Sequence, residues 1–249
     1  MCQIYLNNTE SKERIAKAIL KTTQVESVVI LPVSGRITKE FLKAFKNYKN
    51  GGTYSLKINN RWVSLSQSTI GAPALEIQVN ALFTAGARTL IRADFCGSLS
   101  PEIHVGDLFI AQDAIPADGV SGQYSPSDIV KADGNLLDEI KSIIENNQYT
   151  ETACNCFFNR IITVDYFFAQ KIETMRDWSH RASCVDMETA ALYAISEKLD
   201  LHSISVMTVS DEKLSDIDLF ISKEFPFMRL FSGVRKLVST VISLVENLK

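Results

Sequence analysis

Short apolar runs alternate with longer amphipathic stretches along most of the chain. "ESVVILPVSG" predicts a buried strand ending at Pro32, followed by a loop around Gly35. "GTYSLKINNRWVSLSQS" predicts two strands joined by a turn at Asn59 and Asn60. In "PALEIQVNALFTAGA" the apolar residues recur at helical spacing and stop at Gly86, a common C-terminal signal. "TLIRADF" and "DLFIAQDAI" predict strands, with a Cys-Gly-Ser turn after the first and a Gly106-Asp107 turn before the second. Further on, "NLLDEIKSIIENN" predicts a helix and "NCFFNRIITVD" a strand ending at Asp165. "METAALYAISEKLD" is an alanine-rich helix, and "HSISVMTVSD" is a strand ending at Asp211. "FMRLFSGVRKLVSTVISLVENL" closes the series as a long amphipathic helix.

Strands alternating with helices argue for an α/β domain with a mostly parallel or mixed sheet. The early meander of short strands argues against a simple doubly wound sheet. No repeat, low-complexity tract or Pro/Gly/Ser linker divides the sequence, so residues 1–249 are expected to form one domain. Ligands of such sheets bind beyond the carboxyl ends of the strands. Arg92, Asp165 and Asp211 stand at or near such ends.

Composition narrows the classes. The 249 residues are 46% hydrophobic and 22% charged, values ordinary for a globular chain long enough to bury one large core or two modest ones. A formal net charge of -3 provides no basic field for nucleic acid and no polybasic membrane anchor. No apolar run reaches the ~18 residues of a spanning helix. "MCQIYLNNTESKER" lacks the charged start and apolar core of a secretory leader. Five scattered cysteines suggest no disulfide framework. Cys154 and Cys156, with few histidines nearby, fit two same-face residues of a strand better than a zinc site. The expectation is a reduced, cytoplasmic, soluble protein that binds neither nucleic acid nor membrane.

Several residues have the chemistry of a site, although folding alone accounts for each. Asp186 and Glu188 flank Met187 at a helix start, where acids favour the dipole; a carboxylate there also suits a diol. Asp211 ends "TVSD", either as a cap or as a buried general acid with a raised pKa. Phe167 and Phe168 follow Asp165 as a core pair or a base-stacking platform. "ADGVSGQY" is a turn-rich surface loop. Arg92, beside the Cys-Gly-Ser segment, suits an anion.

In this order the segments resemble the nucleoside phosphorylase-I family of hexameric purine nucleoside phosphorylases, uridine phosphorylases and related nucleosidases. The resemblance runs from "VVILPVSGR" to the final helix and is most specific in "IRADFCGSLSPEIHVGDLFIA", "CVDMETAALYA" and "TVSD". It implies a single α/β domain whose twisted, partly barrel-like mixed sheet is flanked by helices. It also implies a homo-oligomer, a dimer or a trimer of dimers, in which a neighbouring subunit completes each site. Residue by residue, Arg92 matches the arginine that holds phosphate, and Met187 and Glu188 match the residues under the ribose. Phe167 matches the aromatic that packs on the base, and Ser210 and Asp211 match the pair near the purine N7, with Asp211 as the acid. The implied reaction is phosphorolysis of a purine nucleoside to free base and (deoxy)ribose 1-phosphate. Phosphate is then a co-substrate, and no metal or organic cofactor is needed. Gln170, Lys171 and Arg176 do not follow the uracil-reading pattern, whereas "DGVSGQY" resembles a loop of uridine-specific and archaeal-type members.

Two phosphate elements depart from the family pattern. Asp94 and Phe95 stand where Gly and Ser or Thr are usual. Phe95 offers no hydroxyl, and an ionised Asp94 facing the pocket repels phosphate. At ~4 Å and an effective dielectric of ~20, each unit-charge pair costs about 4 kcal/mol. The alternative is that Asp94 pairs elsewhere. In the first loop Val33 and Ile37 take the usual glycine and arginine positions, and Arg36 lies one residue short. Three readings stay open: a phosphorylase using Arg36 with Arg92, a nucleosidase in which water replaces phosphate with Asp94 as activator, or a non-catalytic nucleoside-binding protein.

Overall fold

The computed structural model describes residues 9–146, 155–215, 217 and 222–248. The chain runs α1 (Thr9–Leu20), β1 (Val28–Pro32), α2 (Gly35–Ala44), β2 (Asn47–Asn50), β3 (Thr53–Ile58), β4 (Arg61–Ser66) and α3 (Ala72–Thr84). It continues as β5 (Thr89–Ser98), β6 (Leu108–Ala117), α4 (Ser121–Tyr124), β7 (Val130–Lys131), α5 (Gly134–Asn146), β8 (Cys156–Val164) and α6 (Ile172–Ser179). It ends with β9 (Cys184–Asp186), α7 (Thr189–Leu199), β10 (His202–Glu212) and α8 (Phe227–Asn247).

The strands form one mixed sheet in the order β10-β6-β8-β9-β5-β1-β4-β3-β2, with β7 on β6 and an additional β10–β5 pairing. That extra pairing closes β5, β10, β6, β8 and β9 into a ring, while β1, β4, β3 and β2 extend from it as an open wing. This is the expected α/β architecture of a partly barrel-like mixed sheet flanked by helices. β5 is the hinge between ring and wing. β10 runs parallel along its whole length, β1 pairs with its first half, and β9 takes over antiparallel at Gly97 and Ser98.

Side-chain alternation explains how β5 joins two cores. Leu90 and Cys96 belong to the core beneath α3 and α7. Ile91 and Ala93 face the opposite core, filled by Ile37 and Phe41 of α2 and by Val234, Leu237 and Val241 of α8. Each fully buried Ile, Val, Leu or Phe among them contributes roughly 1.5–3 kcal/mol relative to exposure. Gly106, at φ 88°, lets the β5–β6 connection touch α8; a Cβ there would lie 2.4 Å from the Arg229 carbonyl oxygen. Among the described residues no helix is long and apolar enough to cross a membrane.

Several local expectations need correction. Cys96-Gly97-Ser98 is not a turn: ladders to β10 and β9 hold it extended, and the chain turns only beyond Ser98. Gly35 does not sit in a loop but opens α2, where Ser34 Oγ accepts the Ile37 N–H at 3.2 Å as an N-cap. α7 begins at Thr189, after Met187 and Glu188, and Asp186 ends β9 instead. Cys156 opens β8, and Cys154 lies outside the described residues.

Candidate active site

A cavity of about 180 Å³ opens where the carboxyl ends of β5, β9 and β10 converge. Two groups of charged side chains build it, one around Arg92 and one around Asp211.

Arg92 and Asp94 are two residues apart on β5 and so share a face. Arg92 is fully buried, and its guanidinium is surrounded by carboxylates. Nη1 donates to Asp186 Oδ2 at 2.8 Å and to Thr189 Oγ1 at 3.1 Å. Nη2 donates to Glu188 Oε2 and forms an ion pair with Asp94 Oδ2. Burial works to lower the Arg92 pKa, but the charges of Glu188 and Asp186 outweigh it and the net shift is upward. One guanidinium against three carboxylates leaves this cluster with a formal charge of -2.

Each carboxylate is fixed by further donors. Asp94 Oδ1 accepts the Phe95 N–H at 2.6 Å. Asp186 accepts the Thr163 hydroxyl at 2.6 Å and the Thr189 N–H at 2.9 Å, so it caps the first turn of α7 as well as pairing with Arg92. Glu188 Oε1 accepts the Gly71 N–H at 2.6 Å, at the start of α3. These bonds hold three carboxylates along one wall, so their side-chain entropy is lost on folding and not again on binding a ligand.

The second group lies at the end of β10. Ser210 Oγ donates to Asp211 Oδ1 at 2.6 Å, and Lys213 Nζ meets Asp211 Oδ2 at 2.6 Å. The backbone N–H of Lys213 donates to the Ser98 carbonyl, so strand parity persists and Asp211 and Lys213 project to the same side. Lys213 Nζ also sits 4.4 Å from the centroid of the Phe167 ring, a cation–π contact. Gly97 makes room for this arrangement. A Cβ on it would lie 2.6 Å from Lys213 Cε and 3.0 Å from Asp211 Oδ2.

Of the residues singled out in the sequence, Asp94, Phe95, Phe167, Met187, Glu188, Ser210 and Asp211 all line the cavity. The two arginines do not. Arg92 lies behind the wall, its fork filled by carboxylates in place of an incoming anion. Arg36 is exposed and lies over the Phe231 ring, 3.9 Å from the centroid. Because α2 begins at Gly35, Ile37 turns into the core and its neighbour Arg36 turns out. Phe167 meets the cavity with Lys213 over its ring, where an open face for the base was expected.

Lys213 escaped the sequence reading, although a lysine two residues after a strand-end acid is a legible same-face signal. Gln170 also lines the cavity, with its amide tied to the Tyr166 carbonyl at 3.0 Å. Asp165 stands apart, accepting the Gly119 N–H at 2.7 Å and pinning the "DGVSGQY" segment away from the cavity. His104 and His202 contact Glu212 and Asp133, at 3.3 and 2.7 Å, outside the cavity lining. Among the described residues no group of three or more His, Cys, Asp or Glu side chains is arranged to hold a metal ion.

The profile of the phosphorylase superfamily matches residues 28–225. A DeoD-type purine nucleoside phosphorylase of Caldanaerobacter subterraneus subsp. tengcongensis is 30% identical over 157 residues, 60% of this chain and 64% of that protein. The uridine phosphorylase of Vibrio fischeri superposes with a TM-score of 0.78 at 20% identity, covering 90% of this chain and 93% of that one. The 5'-methylthioadenosine/S-adenosyl homocysteine nucleosidase of Campylobacter jejuni gives a TM-score of 0.74 at 16% identity, covering 90% of this chain and 100% of that one. At these identities the two structures speak for the fold.

Proposed function

The chain belongs to the phosphorylase superfamily, and on that premise we propose that it cleaves the N-glycosidic bond of a purine nucleoside with water, not phosphate, as the nucleophile. The observation that carries this reading is the Asp94–Arg92 ion pair. The guanidinium that suits phosphate already holds a carboxylate, and the cluster around it is formally -2. Such a wall repels a phosphate dianion. It also favours the opposite charge, and glycosidic cleavage builds positive charge on the sugar.

In this reading Glu188 accepts a sugar hydroxyl. Its three bonds to the protein fix its orientation, and an ionised carboxylate has about four acceptor sites, so one remains for the sugar. Asp94 shares Nη2 of Arg92 with Glu188 and is therefore beside it. It accepts a proton from the attacking water as the bond to the base breaks. Asp211 holds Lys213 against this end of the cavity, and the lysine ammonium donates the hydrogen bond that stabilises the departing base. Phe95 fills the position from which a family hydroxyl would meet phosphate, and so helps to exclude the anion.

The test is to identify the sugar formed from a purine nucleoside in the presence of excess inorganic phosphate, by mass spectrometry. The proposal expects ribose. Ribose 1-phosphate as the main product would overturn it and require Arg92 to exchange Asp94 for phosphate.

A further inference from the structure

We propose that Lys213 makes this site selective for purines carrying a hydrogen-bond acceptor at position 6. The inference rests on the reading of the cavity as a nucleoside site, and deepens it by naming the class of base.

Lys213 lines the cavity with its side chain only 10% exposed. Its ammonium carries three donors and no acceptor. Asp211 Oδ2 pairs with its charge at 2.6 Å, and the Phe167 ring supports the charge from 4.4 Å without taking a conventional hydrogen bond. Donors are therefore left for a ligand, in a place where desolvation makes an unmet donor costly. Gly97 is what allows the lysine to lie this low, since a side chain there would collide with its Cε.

The edges of purines differ in what they offer such a group. A 6-oxopurine presents two acceptors side by side, O6 and N7, which a lysine ammonium engages together. A 6-aminopurine presents the N7 acceptor beside an N–H₂ donor, and that donor would face the ammonium. The same contact strengthens during reaction, because negative charge on the departing 6-oxopurine spreads over O6 and N7. Asp211 contributes by holding the lysine, and its carboxylate offset by the ammonium leaves this end of the cavity close to neutral, unlike the wall around Arg92.

Binding of the free bases isolates this claim from the identity of the nucleophile. Hypoxanthine and adenine are titrated calorimetrically into the wild-type protein, Lys213→Met and Lys213→Arg. The wild type is expected to bind hypoxanthine roughly tenfold to a hundredfold more tightly than adenine. Lys213→Met, which keeps the apolar stem, should bring the two affinities together, and Lys213→Arg should retain part of the preference. Equal affinities in the wild type, or a preference that survives in Lys213→Met, would overturn the role of the lysine alone. Failure of the wild type to bind either base would overturn it together with the reading of the cavity as a nucleoside site.

Discussion

Replacing Arg92 by methionine tests whether the carboxylate cluster is held together as the geometry implies. The guanidinium is fully buried, and it contacts Asp94, Asp186, Glu188 and Thr189. Methionine fills much of its volume but donates nothing, so three closely spaced carboxylates lose their common partner. Breaking a buried ion pair by removing one member costs about 3–5 kcal/mol, because the remaining charge is left uncompensated. Domains of this size unfold with total stabilities of roughly 5–15 kcal/mol, so the loss is a large fraction. At ~2–4 °C per kcal/mol for a chain of this length, the midpoint of thermal unfolding should fall by about 6–20 °C. The assay is urea and thermal unfolding of both proteins at pH 8. A loss of less than ~1 kcal/mol, the worth of an exposed pair, would refute the reasoning.

Other perturbations reach the remaining parts of the site. Glu188→Gln, which keeps the shape but weakens the acceptor, should raise the nucleoside Kd by roughly tenfold, consistent with ~1.5 kcal/mol for a hydrogen bond to a charged group; unchanged affinity would contradict its place beneath the sugar. Asp211→Asn should slow base release by about tenfold or more, and wild-type rates would remove Asp211 from the departure step. In the double variant Asp94→Gly/Phe95→Ser the Arg92 fork is partly freed, and added phosphate should begin to accelerate base release; persistent indifference to phosphate would mean that the wall excludes it by other means. Away from the cavity, partial burial pushes the Asp133 carboxyl up, but its bonds with His202 and the Leu136 N–H outweigh this and hold it below the usual carboxylate range. A depressed carboxylate stabilises above its unfolded pKa and loses that contribution as the pH falls through the folded value. Asp133→Asn should therefore be less stable than wild type at pH 7, with the gap closing below about pH 4; a gap that widened in acid would contradict the assignment.

How much of this was legible depended on the range of the interactions. The spacing of Arg92 and Asp94 alone puts them on one face of a strand, so their pairing follows from parity. What no local pattern could supply is Asp186, which reaches the same guanidinium from 94 residues away through the β5–β9 pairing. The Cys-Gly-Ser segment has turn-like composition, yet ladders on both edges override that preference and carry β5 to the cavity. Arg36 was misplaced for a complementary reason: one residue of helical phase, set by the Ser34 cap, sends it to the surface and Ile37 to the core. "TVSD" and "CVDMETAALYA" delivered their side chains to the cavity because a strand end and a helix start fix direction locally. The spacing alone sets Lys213 on the same side as Asp211, but its contact with Phe167, which lies on a different connection, comes only from the fold.

The most direct test of the account is the initial rate of base release from inosine, measured by chromatography while inorganic phosphate is raised from zero. If Asp94 occupies the anion position of Arg92, the rate is already at its full value without phosphate and stays level as phosphate is added. A rate that starts near zero and rises to saturation with phosphate would contradict the account.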